Sequence, residues 1–261
     1  MTPELIVKTQ QTTCRIELNR PAQLNSMTTE LCQALQQALM HASSDNNIRC
    51  IYITGNGKGF CAGQDLSDLN IDSEQPGNIG HILENNINPI IQLMRSITTP
   101  IIVGVNGVAA GAGANLALAG DIVVAKKSAK FIQAFRHVGL IPDAGGTWHL
   151  PRLAGQARSL GMALLGEPVS ADQAYDWGLI WKSVGDDEFE NEIERICQTI
   201  ASGPTTALGL TKQAIGVSMS NTLEQQLNIE KDFQIAASRG DDFKEGVQAF
   251  IEKRKSNFTG T

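Results

Sequence analysis

The sequence predicts an α/β protein in which a parallel sheet with intervening helices is followed by a helical C-terminal region. Up to about residue 154, short β-branched and apolar segments alternate with longer amphipathic ones, as strands and helices in turn would. Beyond that point strand patterns nearly disappear. Because 42% of the 261 residues are hydrophobic and 18% are charged, the chain can bury a large core. Strand–helix alternation favours parallel strands joined by right-handed crossovers.

The strands are predicted from apolar segments bounded by polar or glycine-bearing turns, at residues 6–8, 14–18, 48–54 and 101–105. Residues 19–27 break this pattern, and a helix starts near Thr28 with leucines at every fourth position on one face. A second helix is predicted over residues 82–97, with a kink at Pro89. Residues 70–80 are polar and contain proline and glycine, which predicts a surface loop.

The second half of the chain is predicted to be mostly helical. An apolar helix over residues 116–119 is followed by two short strands. Mostly amphipathic helices are then predicted at residues 156–165, 171–177, 189–201, 205–219, 223–238 and 242–254. Trp148, Trp177 and Trp181 are expected to pack in the core.

Composition and charge argue against several functions. A net charge of −6 disfavours nucleic acid as the main partner. The N-terminus has no basic run before an apolar segment, and no uncharged apolar run reaches transmembrane length, so we expect a cytoplasmic protein with no membrane segment. The five cysteines are scattered without C-x-x-C spacing, which indicates neither zinc nor disulfides. Cys61 is expected to be a small core residue rather than a nucleophile.

Two stretches carry candidate chemistry. Residues 107–114 hold nothing larger than valine, so a ligand could approach main-chain amides there, and the helix that follows begins with N–H groups that suit a developing oxyanion. FCAGQDL at residues 60–66 follows a strand and a glycine-bearing turn and should expose a second N–H. The alternative is that the small residues only let a buried helix pack against a sheet.

These stretches carry a family resemblance. FCAGQDL, VNGVAAGAGANLALAGDIVVA and GLIPDAGGTWHLPRLAG occur in that order, with LNRP before them and FIEKR near the C-terminus. The chain resembles the crotonase (enoyl-CoA hydratase/isomerase) superfamily over nearly its whole length. GLIPDAGGTW is most similar to the 1,2-epoxyphenylacetyl-CoA isomerases of phenylacetate breakdown. The resemblance implies repeated ββα units in a spiral core (residues 1–200) and a helical trimerisation region (residues 201–261).

The shared chemistry of the family is stabilisation of a thioester enolate by two backbone N–H groups. By motif position the donors are the amides of Gln64 and Ala112, whose side chains are incidental. The two glutamates of the hydratases fall here on Asn115 and Phe135. Because water addition needs one group to activate water and another to deliver a proton, their replacement argues against hydration.

Asp143 is the remaining acid–base candidate. It follows an apolar Leu-Ile-Pro approach that would raise its pKa and precedes a glycine pair that could aim it into the pocket. One carboxylate can move a proton from one carbon to another, which is sufficient for a 1,3-shift. The alternative is an N-cap for a helix starting near Gly145, since aspartate is favoured there.

Other site residues are assigned more loosely. Asn115 is interpreted either as a substrate contact, for example to an epoxide oxygen, or as a satisfied helix amide. The resemblance implies backbone contacts to coenzyme A from Leu24, Ala62, Asp65 and Leu66, and contacts from Phe250 and Lys253 of a neighbouring subunit. Arg20 and Lys58 are phosphate contacts by charge or else solvated side chains.

Three polar residues close to the motifs are given no catalytic role. Arg136, His137 and His149 follow or flank the Asp143 motif, and isolated histidines of this kind are expected at the surface. Asp65 and Asp121 are expected to be structural, at a turn or cap and at a strand end.

The combined expectation is an acyl-CoA isomerase that converts 2-(1,2-epoxy-1,2-dihydrophenyl)acetyl-CoA to its oxepin or shifts enoyl-CoA double bonds. No metal or permanently bound cofactor is expected, because coenzyme A arrives as part of the thioester. The resemblance implies a homotrimer or a dimer of trimers. An enoyl-CoA hydratase with a relocated acid is the enzymatic alternative, and a non-catalytic CoA-thioester-binding or RNA-binding protein of the same fold is the alternative of another class.

Overall fold

The structure, a computed structural model, describes residues 3–66 and 79–261, and ten strands in this part of the chain form two sheets. The larger sheet contains, in spatial order, β1 (Leu5–Gln10), β2 (Thr13–Leu18), β3 (Cys50–Gly55), β5 (Ile101–Val105), β7 (Ile122–Lys126) and β10 (Lys182–Val184). The smaller sheet contains β4 (Gly59–Cys61), β6 (Val108–Ala110), β8 (Lys130–Ile132) and β9 (Val169–Ser170).

From β3 to β8, successive strands of the chain alternate between the two sheets. β3, β5 and β7 each enter the larger sheet, and the strand that follows each of them, β4, β6 or β8, enters the smaller one. Both series pair in parallel, with Tyr52 opposite Ile102 in the larger sheet and Ala109 opposite Phe131 in the smaller. The α/β class and the repeated ββα arrangement are therefore confirmed.

Helices pack against these sheets and form the C-terminal region. They are α1 (Thr29–Ser44), α2 (Ile79–Ile82), α3 (Asn88–Ser96), α4 (Ala112–Leu118), α5 (Gly146–Leu165), α6 (Ala171–Asp176), α7 (Phe189–Ala201), α8 (Thr205–Ser218), α9 (Leu223–Ser238) and α10 (Asp241–Glu252). A π-helical stretch, Leu83–Ile87, joins α2 to α3 just before Pro89. Proline has no N–H for a regular helical bond, so the helix is irregular where the kink was predicted.

The core lies on both faces of β3, which is buried along its whole length. Ile51 and Ile53 point into the main core, whereas Cys50 and Tyr52 point to the opposite face and pack with α7. The leucine face of α1 is buried in the main core as predicted. All five cysteines are buried and unbridged, which confirms their expected role as small core residues.

An ion pair ties the C-terminal helices to the larger sheet. Asp121 accepts a hydrogen bond from the Ile101 N–H (2.8 Å) and lies 2.8 Å from Lys212 of α8, whose side chain is only 6% exposed. Lys212 also donates to the Met94 carbonyl oxygen (2.9 Å). Because both charges are paired, their burial is tolerated. The structural role predicted for Asp121 is confirmed. The predicted division of the chain into two domains at residue 200 stays a prediction.

Four strands were missed in the sequence. β4, β6, β9 and β10 span two or three residues each, which is too short for an alternating pattern to appear. As a result, the predicted turn at residues 107–114 is in fact strand β6 followed by the first turn of α4. Hydrogen bonding to neighbouring strands, rather than local propensity, creates these elements.

The placement of two tryptophans in the core was wrong. Trp148 is 41% and Trp181 64% exposed, whereas Trp177 packs partly buried against the core. The Trp148 ring is covered instead by the Arg152 guanidinium, 4.1 Å from the ring centroid.

The surface loop predicted at residues 70–80 lies outside the described residues except for its last two, which begin α2.

Candidate active site

The smaller sheet brings the two predicted donor segments together. β4 and β6 pair in parallel with Cys61 opposite Ala109, so Gln64 and Ala112, three residues further on, leave the same edge of the sheet. A Cβ atom on Gly63 would lie 2.9 Å from the Ala110 carbonyl oxygen and 3.4 Å from the Ala112 nitrogen. Its φ of +96° also favours glycine, so the close approach of the two segments depends on Gly63.

The Gln64 N–H is directed away from its neighbouring chain segment. Met27 and Gln64 form a parallel bridge in which the Met27 N–H donates to the Gly63 carbonyl (2.8 Å) and the Asp65 N–H donates to the Met27 carbonyl (2.9 Å). The residue between two such bonds turns its own N–H to the opposite side. Among the residues that the structure describes, no protein group accepts from the Gln64 N–H.

Ala112 offers the second donor because it is the first residue of α4. Gly111 precedes it at φ 53° and ψ −129°, and the first intrahelical bond runs from the Asn115 N–H to the Gly111 carbonyl (3.2 Å). The Ala112 N–H therefore has no partner within the helix. A Cβ on Gly113 would overlap Cys61, so glycine lets the start of α4 lie against the end of β4.

Asp143 lies between a 3₁₀ helix, Ala134–Val138, and α5. Two left-handed residues follow it, Ala144 at φ 47° and Gly145 at φ 75°, of which Ala144 is in an uncommon conformation for its type. The Asp143 Oδ1 atom is shielded from solvent without a hydrogen-bond partner in the described part of the chain. Burial raises the pKa of this carboxyl to about 6, which suits a group that both takes and returns a proton near neutral pH.

The helix-cap alternative for the Asp143 side chain does not match the structure. The N-cap of α5 is Gly145, and no side chain caps this helix. Only the backbone of Asp143 takes part, by accepting from the Gly146 N–H (2.7 Å). The carboxylate remains available for another role, which supports the catalytic interpretation.

Asn115 and Gln133 hold the Asp143 backbone in place. Asn115 Nδ2 donates to the Asp143 carbonyl oxygen (2.9 Å), and Gln133 Nε2 donates to Asn115 Oδ1 (2.8 Å). Both side chains are completely buried, and Asn115 is a satisfied helix amide. Its burial gives no support to a direct substrate contact. Because Ala112 and Asn115 lie in the same turn of α4, one helix positions both the second donor and the candidate base.

Phe135 occupies the second position where hydratases carry an acid. It is buried, and a Cβ on Gly111 would lie 3.8 Å from the end of its ring. An aromatic ring therefore packs beneath the turn that offers the Ala112 N–H. With Asn115 at the other position, neither side chain can ionise. The Asn115 hydrogen bond to the Asp143 carbonyl holds the Asp143 turn against α4.

The predicted coenzyme A contacts lie on two facing segments. The Ala62 N–H donates to the Leu24 carbonyl (2.9 Å), Asp65 pairs with Met27 as above, and the exposed Leu66 follows. Since the Ala62 and Asp65 N–H groups are used in these bonds, contacts from those two residues to coenzyme A would involve their carbonyl oxygens. The structure brings the four residues together but does not test their role.

Of the two candidate phosphate contacts, the Arg20 side chain is already bonded to other groups of the protein. Its guanidinium lies 2.8 Å from the Asp65 carboxylate and 3.0 Å from that of Glu4, and it also donates to the Ser26 carbonyl. This corrects the prediction for Arg20 and confirms a structural role for Asp65. Lys58 is exposed in the loop between β3 and β4, and its predicted phosphate contact stays a prediction.

The residues predicted to reach coenzyme A from a neighbouring subunit are at the C-terminus. Phe250 is 85% exposed on α10, and Lys253 is the left-handed residue (φ 56°) that ends this helix. Both lie on the surface of the chain, as a contact to another subunit would require, and neither contact is tested by a single chain.

Burial tests the predictions for three side chains near the motifs, those of Cys61, His137 and His149. Burial raises the pKa of the Cys61 thiol to about 12, so it cannot act as a thiolate near neutral pH. His137 is exposed as predicted, but His149 is only 4% exposed, which contradicts its predicted surface position. It is buried because α5 turns it inward, between Gly145 and Trp148.

No metal or membrane feature accompanies the site. Within residues 3–66 and 79–261, histidine, cysteine and carboxylate side chains form no group of three that could hold a metal ion. The same residues contain no helix that is both long and apolar enough to span a bilayer.

Two backbone N–H groups without an acceptor in the described part of the chain thus lie at one edge of a ββα spiral, and Asn115 holds the Asp143 turn against the helix that carries one of them. A family model described as enoyl-CoA hydratase/isomerase matches residues 8–261. The chain belongs to this family and is an enzyme of the crotonase superfamily.

Individual relatives agree with that assignment. The chain is 49% identical over 246 residues to a 1,2-epoxyphenylacetyl-CoA isomerase of Escherichia coli K12, covering 94% of both chains. It is 44% identical to a Rhodobacter capsulatus protein named "Probable enoyl-CoA hydratase", covering 94% of this chain and 93% of that one. A crystal structure of an enoyl-CoA hydratase from Bacillus anthracis superposes with a TM-score of 0.93 at 32% identity, covering 99% of this chain and 100% of that one.

Sequence reasoning missed two residues of the site. Gln133 fixes the Asn115 amide, and its only sequence signal is a lone amide at the end of an apolar strand. Gly146 is needed because a Cβ there would overlap Asn115. The glycine was visible in the motif, but its partner, 31 positions earlier, was not.

Proposed function

We propose that the protein is an acyl-CoA isomerase in which Asp143 moves a proton between two carbon atoms of a thioester-stabilised enolate. The observation that carries the proposal is a carboxylate whose Oδ1 atom is shielded from solvent and unpartnered in the described part of the chain, together with two backbone N–H groups that find no acceptor there. Asn115 and Phe135 stand at the positions where the resemblance places the hydratase acids. Isomerisation moves one proton and needs one such group, whereas hydration needs two.

The proposed mechanism uses the two N–H donors and the one carboxylate. The thioester oxygen accepts from the Gln64 and Ala112 N–H groups, which lowers the pKa of the α-carbon. The Asp143 carboxylate removes the α-proton, and the electron pair moves into the enolate held by the two donors. The neutral carboxylic acid then returns the proton to a different carbon of the conjugated system. The substrate and product are isomers, so no co-reactant is needed.

We infer two substrates for this step. In 2-(1,2-epoxy-1,2-dihydrophenyl)acetyl-CoA the proton transfer accompanies opening of the epoxide-bearing ring to an oxepin, and in a 3-enoyl-CoA it moves the double bond into conjugation. The 49% identity to the E. coli 1,2-epoxyphenylacetyl-CoA isomerase supports the first. Coenzyme A is part of the substrate, and we place it along Leu24, Ala62, Asp65 and Leu66.

Crotonyl-CoA hydration should be negligible beside isomerisation of 3-hexenoyl-CoA. Water would have to be deprotonated and the α-carbon protonated by separate groups, and neither Asn115 nor Phe135 can supply the second one. Both rates are measured on one enzyme preparation, by loss of the conjugated thioester absorbance for hydration and by its gain for isomerisation. Comparable rates would assign the protein to the hydratases, the class named for the R. capsulatus relative.

The non-catalytic alternative makes a separate prediction under the same assay. A protein that only binds CoA thioesters would show neither reaction and no exchange of the α-proton with solvent. The shielded Asp143 Oδ1 atom opposes this alternative, since a polar atom that lacks both solvent and a hydrogen-bond partner is costly unless it has a function.

We also propose that the chain assembles as a homotrimer or a dimer of trimers. The C-terminal helices expose more apolar surface than an isolated chain would keep in water, through Leu223 (75%), Leu227 (54%), Phe243 (52%), Phe250 (85%) and Ile251 (68%). These side chains lie on α9 and α10, and neighbouring subunits would cover them.

The assembly is expected to be visible by light scattering at micromolar concentration, as three or six copies of the 28.0 kDa chain. Phe250→Asp should shift the distribution toward monomer, because it places a charge on an apolar contact. Lys255→Asp, a charge change at an exposed position beyond α10, is the control and should leave the mass unchanged. A wild-type monomer would contradict the proposal.

A further inference from the structure

A cavity of about 690 Å³ opens beside the turn that holds Asp143. Its walls come from α3, the start of α5, α8 and α9, and they are mostly apolar, with Ile91, Val217, Ile229 and Phe233 among them. This volume is within the range of small-molecule sites, roughly 300 to 1,000 Å³. The Asp143 carboxylate is not part of its lining.

His149 is a buried polar side chain in the wall of this mostly apolar cavity. It lines the wall and is 4% exposed, and its ring nitrogens make no hydrogen bond within the part of the chain that the structure describes. Its ring contacts the Trp148 ring edge-on, with the centroids 4.8 Å apart and the planes at 85°. The ring nitrogens are not among the fully enclosed polar atoms without a partner, so they keep access to the cavity, where a ligand could bond to them.

The imidazole is neutral in this setting. Burial is the main reason that its pKa falls to about 4, and the nearby positive charges of Arg95 and Arg152 add to the effect. A neutral imidazole has one N–H donor and one acceptor nitrogen. It can therefore donate to an ether or epoxide oxygen, or both donate to and accept from a hydroxyl group.

The cavity adjoins the turn that carries Asp143. Gly145 lines it and is two residues from Asp143, so the two α-carbons are separated by at most about 7 Å. Ile91 packs beside Gly145 at the same place, where a Cβ on the glycine would lie 3.4 Å from the Ile91 side chain. The cavity therefore shares part of its wall with the turn that carries the candidate base.

We propose that this cavity receives the distal ring of the acyl group and that His149 determines specificity there, by hydrogen bonding to an oxygen atom within or on that ring. The ligand class is a compact cyclic acyl-CoA with one oxygen function, against a wall made by the Trp148 ring and aliphatic side chains. The inference rests on the proposed function in taking an acyl-CoA as ligand, but not on the isomerisation step.

The test compares two stable CoA thioesters that differ by one oxygen, phenylacetyl-CoA and 2-hydroxyphenylacetyl-CoA. Calorimetric titration of the wild-type enzyme should show tighter binding of the hydroxylated ligand by roughly 2- to 10-fold, the range of one neutral hydrogen bond. His149→Leu should abolish this preference, because leucine has a similar volume and no hydrogen-bonding group. His149→Gln, which restores such a group, should recover part of it.

His41→Leu is the matched control, since it makes the same chemical change at an exposed site near the end of α1 and should preserve the preference. A wild type that does not distinguish the two ligands would overturn the proposal. So would a His149→Leu enzyme that binds both more weakly yet keeps the preference, as a merely structural histidine would. Failure of the proposed function shows separately, as absent isomerisation of 3-hexenoyl-CoA with the binding preference intact.

Discussion

Asp143→Asn is expected to lower kcat for 3-hexenoyl-CoA isomerisation by roughly 10³- to 10⁴-fold, with substrate Kd within a few-fold of wild type. General acid–base catalysis contributes about 10² to 10⁴ in rate, and one group here serves as both base and acid, which places the loss toward the upper end. The substitution keeps the size and hydrogen-bonding capacity of the side chain. The Gln64 and Ala112 amides that hold the thioester are unchanged, so kcat falls while binding persists.

The pH dependence connects this loss to the Asp143 carboxyl. Its pKa of about 6 means that wild-type kcat should decline as pH falls below 6, since the base becomes protonated. The residual activity of Asp143→Asn should lack this acid limb.

Stability gives a second readout of the same group. Because the folded-state pKa is raised above the unfolded value near 3.9, Asp143 favours folding when protonated, and that contribution is lost as pH rises through about 6. Asp143→Asn should therefore raise the melting temperature at pH 8 and have less effect at pH 5.

Asp187→Asn is the matched control, because it makes the same change at an exposed aspartate and should leave kcat and its pH profile unaltered. If Asp143→Asn retains kcat within threefold of wild type, the catalytic assignment is wrong. Of the other polar residues of the motifs, Asn115 and His137, only His137 could then accept a proton.

Ala112→Pro is expected to lower kcat by roughly 10²- to 10³-fold, the cost of one lost oxyanion donor. Proline has no N–H, and Ala112 is the first residue of α4, the position where a helix tolerates proline best. The preceding residue is Gly111, so the restriction that proline places on its predecessor is least severe. The substitution thus removes the proposed donor while leaving the helix start compatible with the fold.

Ala112→Gly is the paired control, since it also changes the side chain but keeps the N–H, and it should retain most of the wild-type kcat. Circular dichroism and the melting temperature of both variants establish that α4 is intact. Equal kcat in the proline and glycine variants would show that the Ala112 amide does not stabilise the enolate. The second donor would then have to be a different backbone N–H of the same turn.

Much of the fold could be predicted because its signals are local. The leucine face of α1 and the amphipathic C-terminal helices each carry a full helical period, and α7 and α9 begin and end at the predicted residues. The strands β4, β6, β9 and β10 carry no such period. They exist because neighbouring strands of the spiral supply their hydrogen bonds, and that pairing cannot be recognised in two or three residues.

The candidate site divides in the same way. The sequence shows glycines at 63, 111 and 113 and an apolar approach to Asp143. It also shows that Asn115 and Phe135 are not acids. These features together predicted two donors and one carboxylate. Arg20, Trp148 and His149 were misplaced, since the partners and burial of a long or aromatic side chain depend on residues far away in the chain.

The amino-acid sequence alone determined the order of the helices, the position of the main strands, the family resemblance and the residue types available for catalysis. Only the tertiary structure decided that the Asp143 side chain is not a helix cap, that Asn115 and Gln133 hold the Asp143 backbone, and that Arg20 pairs with Asp65. The physical reason is that side-chain burial and hydrogen bonding between distant segments set these roles. Helical and strand periodicity, in contrast, is written in neighbouring residues.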